Sequence, residues 1–144
     1  MSVDTIDAKE KDYLYVASSL IPSAGLGLFV SIPIYKDEVI CLFKGEILGA
    51  DEAANRAKKG EDGYFINQLD GLILDSMFTD CFAKYANDPL AFGPNIAKSK
   101  YKVNAEISLD DDDNICLVAK RNIKVGEEVF CSYGKKYWVN FNRK

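Results

Sequence analysis

The residues best suited to chemistry lie in Gly126-Glu127-Glu128-Val129-Phe130-Cys131-Ser132-Tyr133-Gly134, followed closely by Tyr137-Trp138. A β-type run that stops on a tyrosine beside a glycine, with an indole just behind, describes a phenol at the foot of an aromatic-walled slot. The chain contains no histidine. That removes the commonest general base, the commonest zinc ligand and every Ser-His or Cys-His nucleophile pair together. Catalysis would rest on tyrosine, carboxylates, lysine or main-chain groups. The four cysteines, Cys41, Cys81, Cys116 and Cys131, show no close spacing of the metal-site or disulfide-scaffold kind and read as reduced, buried, small hydrophobes.

Such a slot needs a frame. With 144 residues and 48% hydrophobic character, the chain suits one globular domain over residues 1–144. Short β-type runs recur between turn signals: Tyr13 to Ala17, Gly27 to Ser31, Val39 to Leu48, Tyr64 to Leu69, Leu72 to Asp75, Tyr101 to Leu109, Ile115 to Ala119 and Glu128 to Cys131. Helical character is confined to Asp51 to Lys59, stopped by Gly60, and to Thr79 to Tyr85 with an N-cap threonine. The expected fold class is therefore mostly β with short helices. Asp70-Gly71 signals a two-residue hairpin turn, and residues 86–100 read as a long loop of functional character.

Other sites are excluded by what they lack. The run Asp110-Asp111-Asp112-Asp113 has neither the glycine nor the distal glutamate of an EF-hand loop and reads as a solvated acidic turn. Gly25-Leu26-Gly27 leads into a strand rather than a helix, so it is no phosphate-binding Rossmann or P-loop element. The net charge of -4 argues against direct nucleic-acid binding and favours a cationic partner. No apolar run is long enough for a membrane helix, and the start of the chain is too charged for a signal peptide.

Taken in order, Gly25-x-Gly27 opening a strand, Phe43-Lys44-Gly45-Glu46, Tyr64 before a hairpin closing on Asp75, Ala83-Lys84-Tyr85-Ala86-Asn87-Asp88-Pro89, and Gly126-Glu127-Glu128 leading to Tyr133-Gly134 resemble the SET-domain lysine methyltransferases from about Leu14 to Trp138. The start of the domain resembles the histone-H3-directed mono-methylating branch. The ending Ser132-Tyr133-Gly134-Lys135-Lys136-Tyr137-Trp138 resembles the small stand-alone viral members. The resemblance implies a β-clip fold of several small curved sheets with a C-terminal pseudoknot, and no pre-SET or post-SET zinc modules. It implies S-adenosylmethionine as cofactor, held by Ala24, Gly25, Leu26, Gly63, Tyr64, Asn87 and Asp88 and covered by Tyr137 and Trp138. Tyr133 matches the catalytic tyrosine, with Phe43, Tyr101 and Cys131 along the substrate channel and no metal ligands.

The chemistry suits these residue types. Methyl transfer to an amine needs alignment and a deprotonated lysine, whose free pKa is about 10.4. An apolar channel beside a sulfonium charge disfavours the ammonium form, so no histidine base is required. The family's Asn-His-Ser-Cys stretch is here Asn87-Asp88-Pro89-Leu90, and Cys131 stands where many members carry the Phe or Tyr that limits methyl count, which favours di- or trimethylation. The expected substrate is a basic protein, a histone tail foremost. A non-histone protein substrate and a non-catalytic binding module of the same fold remain alternatives. The expected location is intracellular: nuclear or chromatin-associated for a histone substrate, cytoplasmic otherwise. The oligomeric state stays open, a homodimer through paired sheet edges included.

Overall fold

The structure, a computed structural model, describes residues 4–68, 70–92 and 101–132. Along the chain come β1 (Asp4–Thr5), α1 (Glu10–Tyr13), β2 (Leu14–Ser18), β3 (Leu26–Val30), β4 (Glu38–Leu42) and β5 (Glu46–Leu48). They are followed by α2 (Ala50–Lys58), β6 (Phe65–Asn67), β7 (Ile73–Asp75) and two 3-10 turns, Ala83–Tyr85 and Pro89–Phe92. The described residues end with β8 (Ala105–Leu109), β9 (Ile115–Ala119), β10 (Glu128–Val129) and β11 (Cys131–Ser132). These strands form three small sheets, ordered β1-β4-β9-β8-β11, β10-β3-β2 and β5-β7-β6. No helix of the described residues is long and apolar enough to cross a membrane.

The central strand of the largest sheet, β9, reads Ile-Cys-Leu-Val-Ala and is buried at every position. An uninterrupted apolar run lets both faces of such a strand pack. Leu117 belongs with Leu28, Val30, Ile34, Ile40 and Val129 to one core that spans two sheets. A smaller cluster of Leu48, Ala53, Phe65 and Ile73 lies between α2 and the β5-β7-β6 sheet. Arg56 ties that helix down: its Nη1 donates to Glu46 Oε1 at 2.9 Å and Asp75 Oδ2 at 2.7 Å, and its Nε to Glu52 Oε2 at 3.0 Å. The guanidinium holds the Glu46 carboxyl below its ordinary range, and Asp75 beneath it is fully buried.

Several boundaries differ from the sequence expectation for physical reasons. The run Val39 to Leu48 is two strands in different sheets, broken where Gly45 passes so close to the Asp75 carbonyl that a side chain there would collide with it. Glu128 to Cys131 is likewise divided. Val129 pairs with Leu28 in one sheet and Cys131 with Ala105 in another. The strand expected from Tyr101 begins only at Ala105. The helix expected over Thr79 to Tyr85 is reduced to the turn Ala83–Tyr85, because the carbonyls of Ser76, Met77 and Thr79 converge on Lys84 Nζ at 3.2, 3.3 and 3.0 Å.

The Asp70-Gly71 hairpin closes over three residues rather than two. Gln68 N donates to Leu72 O, Gly71 N to Gln68 O, and Gly71 takes the left-handed conformation that a three-residue loop demands. The charged start forms elements the sequence did not signal: β1 pairs in parallel with β4, and after α1 the Tyr13 hydroxyl donates to Ile40 O at 2.6 Å.

Arg56→Ala should lower the thermal unfolding midpoint on the order of 5 to 10 °C, because it strands the buried Asp75 carboxylate. Adding Asp75→Asn should recover most of that loss. Calorimetry of both variants checks the pair.

Candidate functional site

The site is organised by a buried carboxylate. Glu128, 2% exposed, closes the motif that begins at Gly126 and enters β10. Its Oε2 accepts from Ser19 Oγ at 2.7 Å and from Asn87 Nδ2 at 3.4 Å, and its Oε1 accepts from Leu20 N at 2.7 Å. One side chain thus joins the loop before β3, the segment after the Ala83–Tyr85 turn and the strand near the end of the described residues. Hydrogen bonds to a charged acceptor are among the stronger kinds, and a buried carboxylate needs all of them.

Glycine makes this approach possible. At Gly27 an added Cβ would run into the Glu128 carboxylate. Gly25 serves differently: its φ of 76° turns the chain, its carbonyl accepts from Ser19 N at 2.8 Å, and the space beside it is open. Leu26, which follows this turn, is half exposed. Asn87 Nδ2 also donates to Leu26 O at 3.0 Å, so two of the expected cofactor segments touch directly. The Asn87 side-chain oxygen takes no partner among the described residues and remains an available acceptor.

The strand itself is pinned from behind by Asn104, which is 1% exposed. Its amide donates to Glu128 O and accepts from Phe130 N, both at 2.9 Å, while its own backbone N–H donates to Phe130 O. Phe130 forms a parallel bridge with Asn87, and Cys131 N donates to Asn87 O at 3.0 Å. The chain therefore runs alongside the Asn87 segment up to Ser132. Tyr133, Tyr137 and Trp138 lie outside the described residues.

Asp88 is buried, and its Oδ1 accepts from Leu90 N at 3.0 Å, which starts the Pro89–Phe92 turn. An aspartate at this place folds its own loop. A second group of expected residues meets across the molecule: Phe43, Gly63 and Tyr64 line a small space of about 10 Å³ with Ile66, Ser76 and Lys84. That is room for about one water, and Ser76 Oγ, buried there, has no hydrogen-bond partner among the described residues. The Lys84 ammonium stands 5.8 Å from the centre of the Tyr64 ring and 5.5 Å from that of Tyr85.

Two expected channel residues do not join that group. Tyr101 meets Phe130 edge-to-face at 6.1 Å and borders a separate cleft of about 450 Å³ beside Lys102 and Lys124. Cys131 is fully buried in the main core, with Sγ 4.0 Å from Ala86 O. Burial pushes the thiols of Cys41 and Cys116 up, the latter to about 11, so neither is a nucleophile at neutral pH. Sequence reasoning missed Ser19, Asn104, Ser76 and the joining role of Glu128. Only Glu128 carried a signal, as the second acid after Gly126.

The profile of the SET domain matches residues 25–134. Two solved structures of a humanized mutant of the Chaetomium thermophilum Polycomb Repressive Complex 2, each bound to an inhibitor, are similar in fold, with TM-scores of 0.69 and 0.70 at 22% identity. Each likeness covers 86% of this chain and 15% of the solved chain. The chain belongs to the SET-domain family.

Gly27→Ala should displace the Glu128 carboxylate and cost about 2 kcal/mol or more of folding stability, since Ser19, Leu20 and Asn87 lose a shared acceptor. Gly49→Ala, where no atom lies near the added methyl, should cost less than half as much. Denaturant unfolding of the two variants makes the comparison.

Proposed function

We propose that this SET domain transfers a methyl group from S-adenosylmethionine to a lysine side chain of a basic protein, with a histone tail as the first candidate. The observation that carries the reading is the meeting of Leu26 and Asn87 over Glu128, which gathers two of the family's cofactor segments. The residues present fit the cofactor. The open space beside Gly25 suits a zwitterionic amino-acid end, and the Asn87 side-chain oxygen, which has no partner among the described residues, suits an ammonium. The cofactor, when bound, supplies an electrophilic methyl group.

The chain's own residues do the rest. Asn87 and the Gly25 loop fix one reactant, and Asp88 holds the loop that carries Asn87. Phe43 lines the channel, where an apolar wall favours a neutral amine over a hydrated ammonium, and Gly63 and Tyr64 beside it have the role of holding the cofactor. Tyr133 has the role of orienting the amine lone pair through its hydroxyl, and Tyr137 and Trp138 that of covering the adenine. The lysine nitrogen would gain the methyl as the methyl's bond to the sulfonium sulfur breaks, leaving S-adenosylhomocysteine, and the alkylated nitrogen would release a proton to solvent. A histone substrate would place the protein in the nucleus.

The test is transfer of labelled methyl from S-adenosylmethionine to purified histones and to whole-cell extract. Tyr133→Phe should fold normally and lose at least about tenfold in turnover, on the order of 1.4 kcal/mol of barrier. Unchanged turnover would remove that phenol from the mechanism. Absence of calorimetric binding of the cofactor to the wild-type protein would leave only the non-catalytic binding module.

A further inference from the structure

In a chain of net charge -4, the cleft of about 450 Å³ beside Tyr101 is bordered by three cations, Lys102, Arg121 and Lys124. Two carboxylates border it as well, and both are engaged. Glu128 accepts from Ser19, Leu20 and Asn87. Glu127 accepts from Arg121 Nη2 at 3.4 Å on one oxygen and from the Lys124 backbone N–H at 2.7 Å on the other. That leaves the exposed ammonium groups of Lys102 and Lys124 with no ion-pair partner among the described residues. Leu20 and Val125, both well exposed, stand at the same cleft. Exposed aliphatic side chains next to uncompensated charge are the raw material of an interface, where an apolar anchor is ringed by polar contacts. None of residues 24–26, 63–64 or 87–88 borders this cleft, so it lies apart from the proposed cofactor site.

We propose that this cleft docks an acidic segment of another protein: two carboxylates of the segment meet Lys102 and Lys124, and an aliphatic side chain between them packs on Leu20 and Val125. Charge complementarity selects the acids, and the apolar pair supplies the anchor. A nucleic acid fits less well. Its bases need exposed ring faces to stack on, and of the two aromatic residues at the cleft Phe130 is buried and meets Tyr101 edge-to-face. Leu20 and Val125 offer nothing to a phosphate, whereas each gains from covering by a hydrocarbon side chain. The docking is a second binding function of the domain and does not depend on methyl transfer.

Glutamine at both lysines keeps the stem and removes the charge, and the Lys124 backbone N–H that Glu127 accepts is untouched. The probes are three fluorescent peptides of equal length: a leucine flanked on each side by aspartate and glutamate, the same peptide with asparagine and glutamine for the acids, and the acidic peptide with serine for the leucine. Anisotropy titration of the wild-type protein at low salt should show the acidic leucine peptide binding about tenfold tighter than its amide counterpart, a preference that fades as salt rises. It should bind about threefold or more tighter than the serine peptide. Lys102→Gln/Lys124→Gln should bind the acidic and amide peptides within about twofold. Lys58→Gln/Lys59→Gln, which removes the same charge from the end of α2, should keep the preference. Equal binding of the acidic and amide peptides to the wild-type protein, binding of neither, or a preference that persists in the Lys102/Lys124 variant or vanishes in both variants would overturn the proposal. So would a labelled oligothymidylate that binds more tightly than any of the peptides through the same two lysines. If the double variant fails to fold, Lys102→Gln alone should lower the preference by about threefold, and an unchanged preference would count against the cleft.

Discussion

A carboxylate taken out of water must be fully occupied, and in this fold Glu128 meets that requirement by recruiting donors from two distant parts of the chain. Ser19 and Leu20 lie more than a hundred positions before it and Asn87 about forty, so the contact closes long loops whose ordering entropy has to be offset. The acid can do so because each bond is charge-assisted and because Gly27 leaves it space. Around this centre the three small sheets are arranged: β10 brings Glu128 to β3, and β11 continues on the other side of Asn87 into the large sheet.

The same economy recurs at Arg56 and Lys84, where one cation organises backbone or carboxylate oxygens that no strand ladder could satisfy. Lys84 gathers three carbonyls and two aromatic rings, and so converts a helical pattern into a turn that delivers Asn87 to the site. Arg56 holds α2 against the β5-β7-β6 sheet. A fold without large helices or long strands depends on such joints, because its sheets each bury little area alone.

Much of this was legible from residue order. The β-rich class, the helix over α2, the buried thiols of Cys41 and Cys116 and the SET family all follow from motifs and periodicity. The breaks were not, because they arise from tertiary approach: nothing local in Val39 to Leu48 announces that Gly45 must pass the Asp75 carbonyl. Phe43 and Tyr64 were matched by motif position, and they do share a cavity; Tyr101, matched the same way, lies in another cleft. Asn104 left no signal at all, since a lone asparagine ahead of a strand reads as a turn residue until its amide is seen clamping Glu128 and Phe130.

In the proposed function, the Glu128 carboxylate holds the Gly25 loop and Asn87 in place for the cofactor. Calorimetric titration of Glu128→Gln with S-adenosylmethionine tests it most directly. The substitution keeps the volume and one acceptor but sets an amide donor against Asn87, so the protein should stay folded and lose affinity by about tenfold or more, roughly 1.4 kcal/mol. A folded Glu128→Gln protein that binds the cofactor as tightly as the wild type would contradict the account.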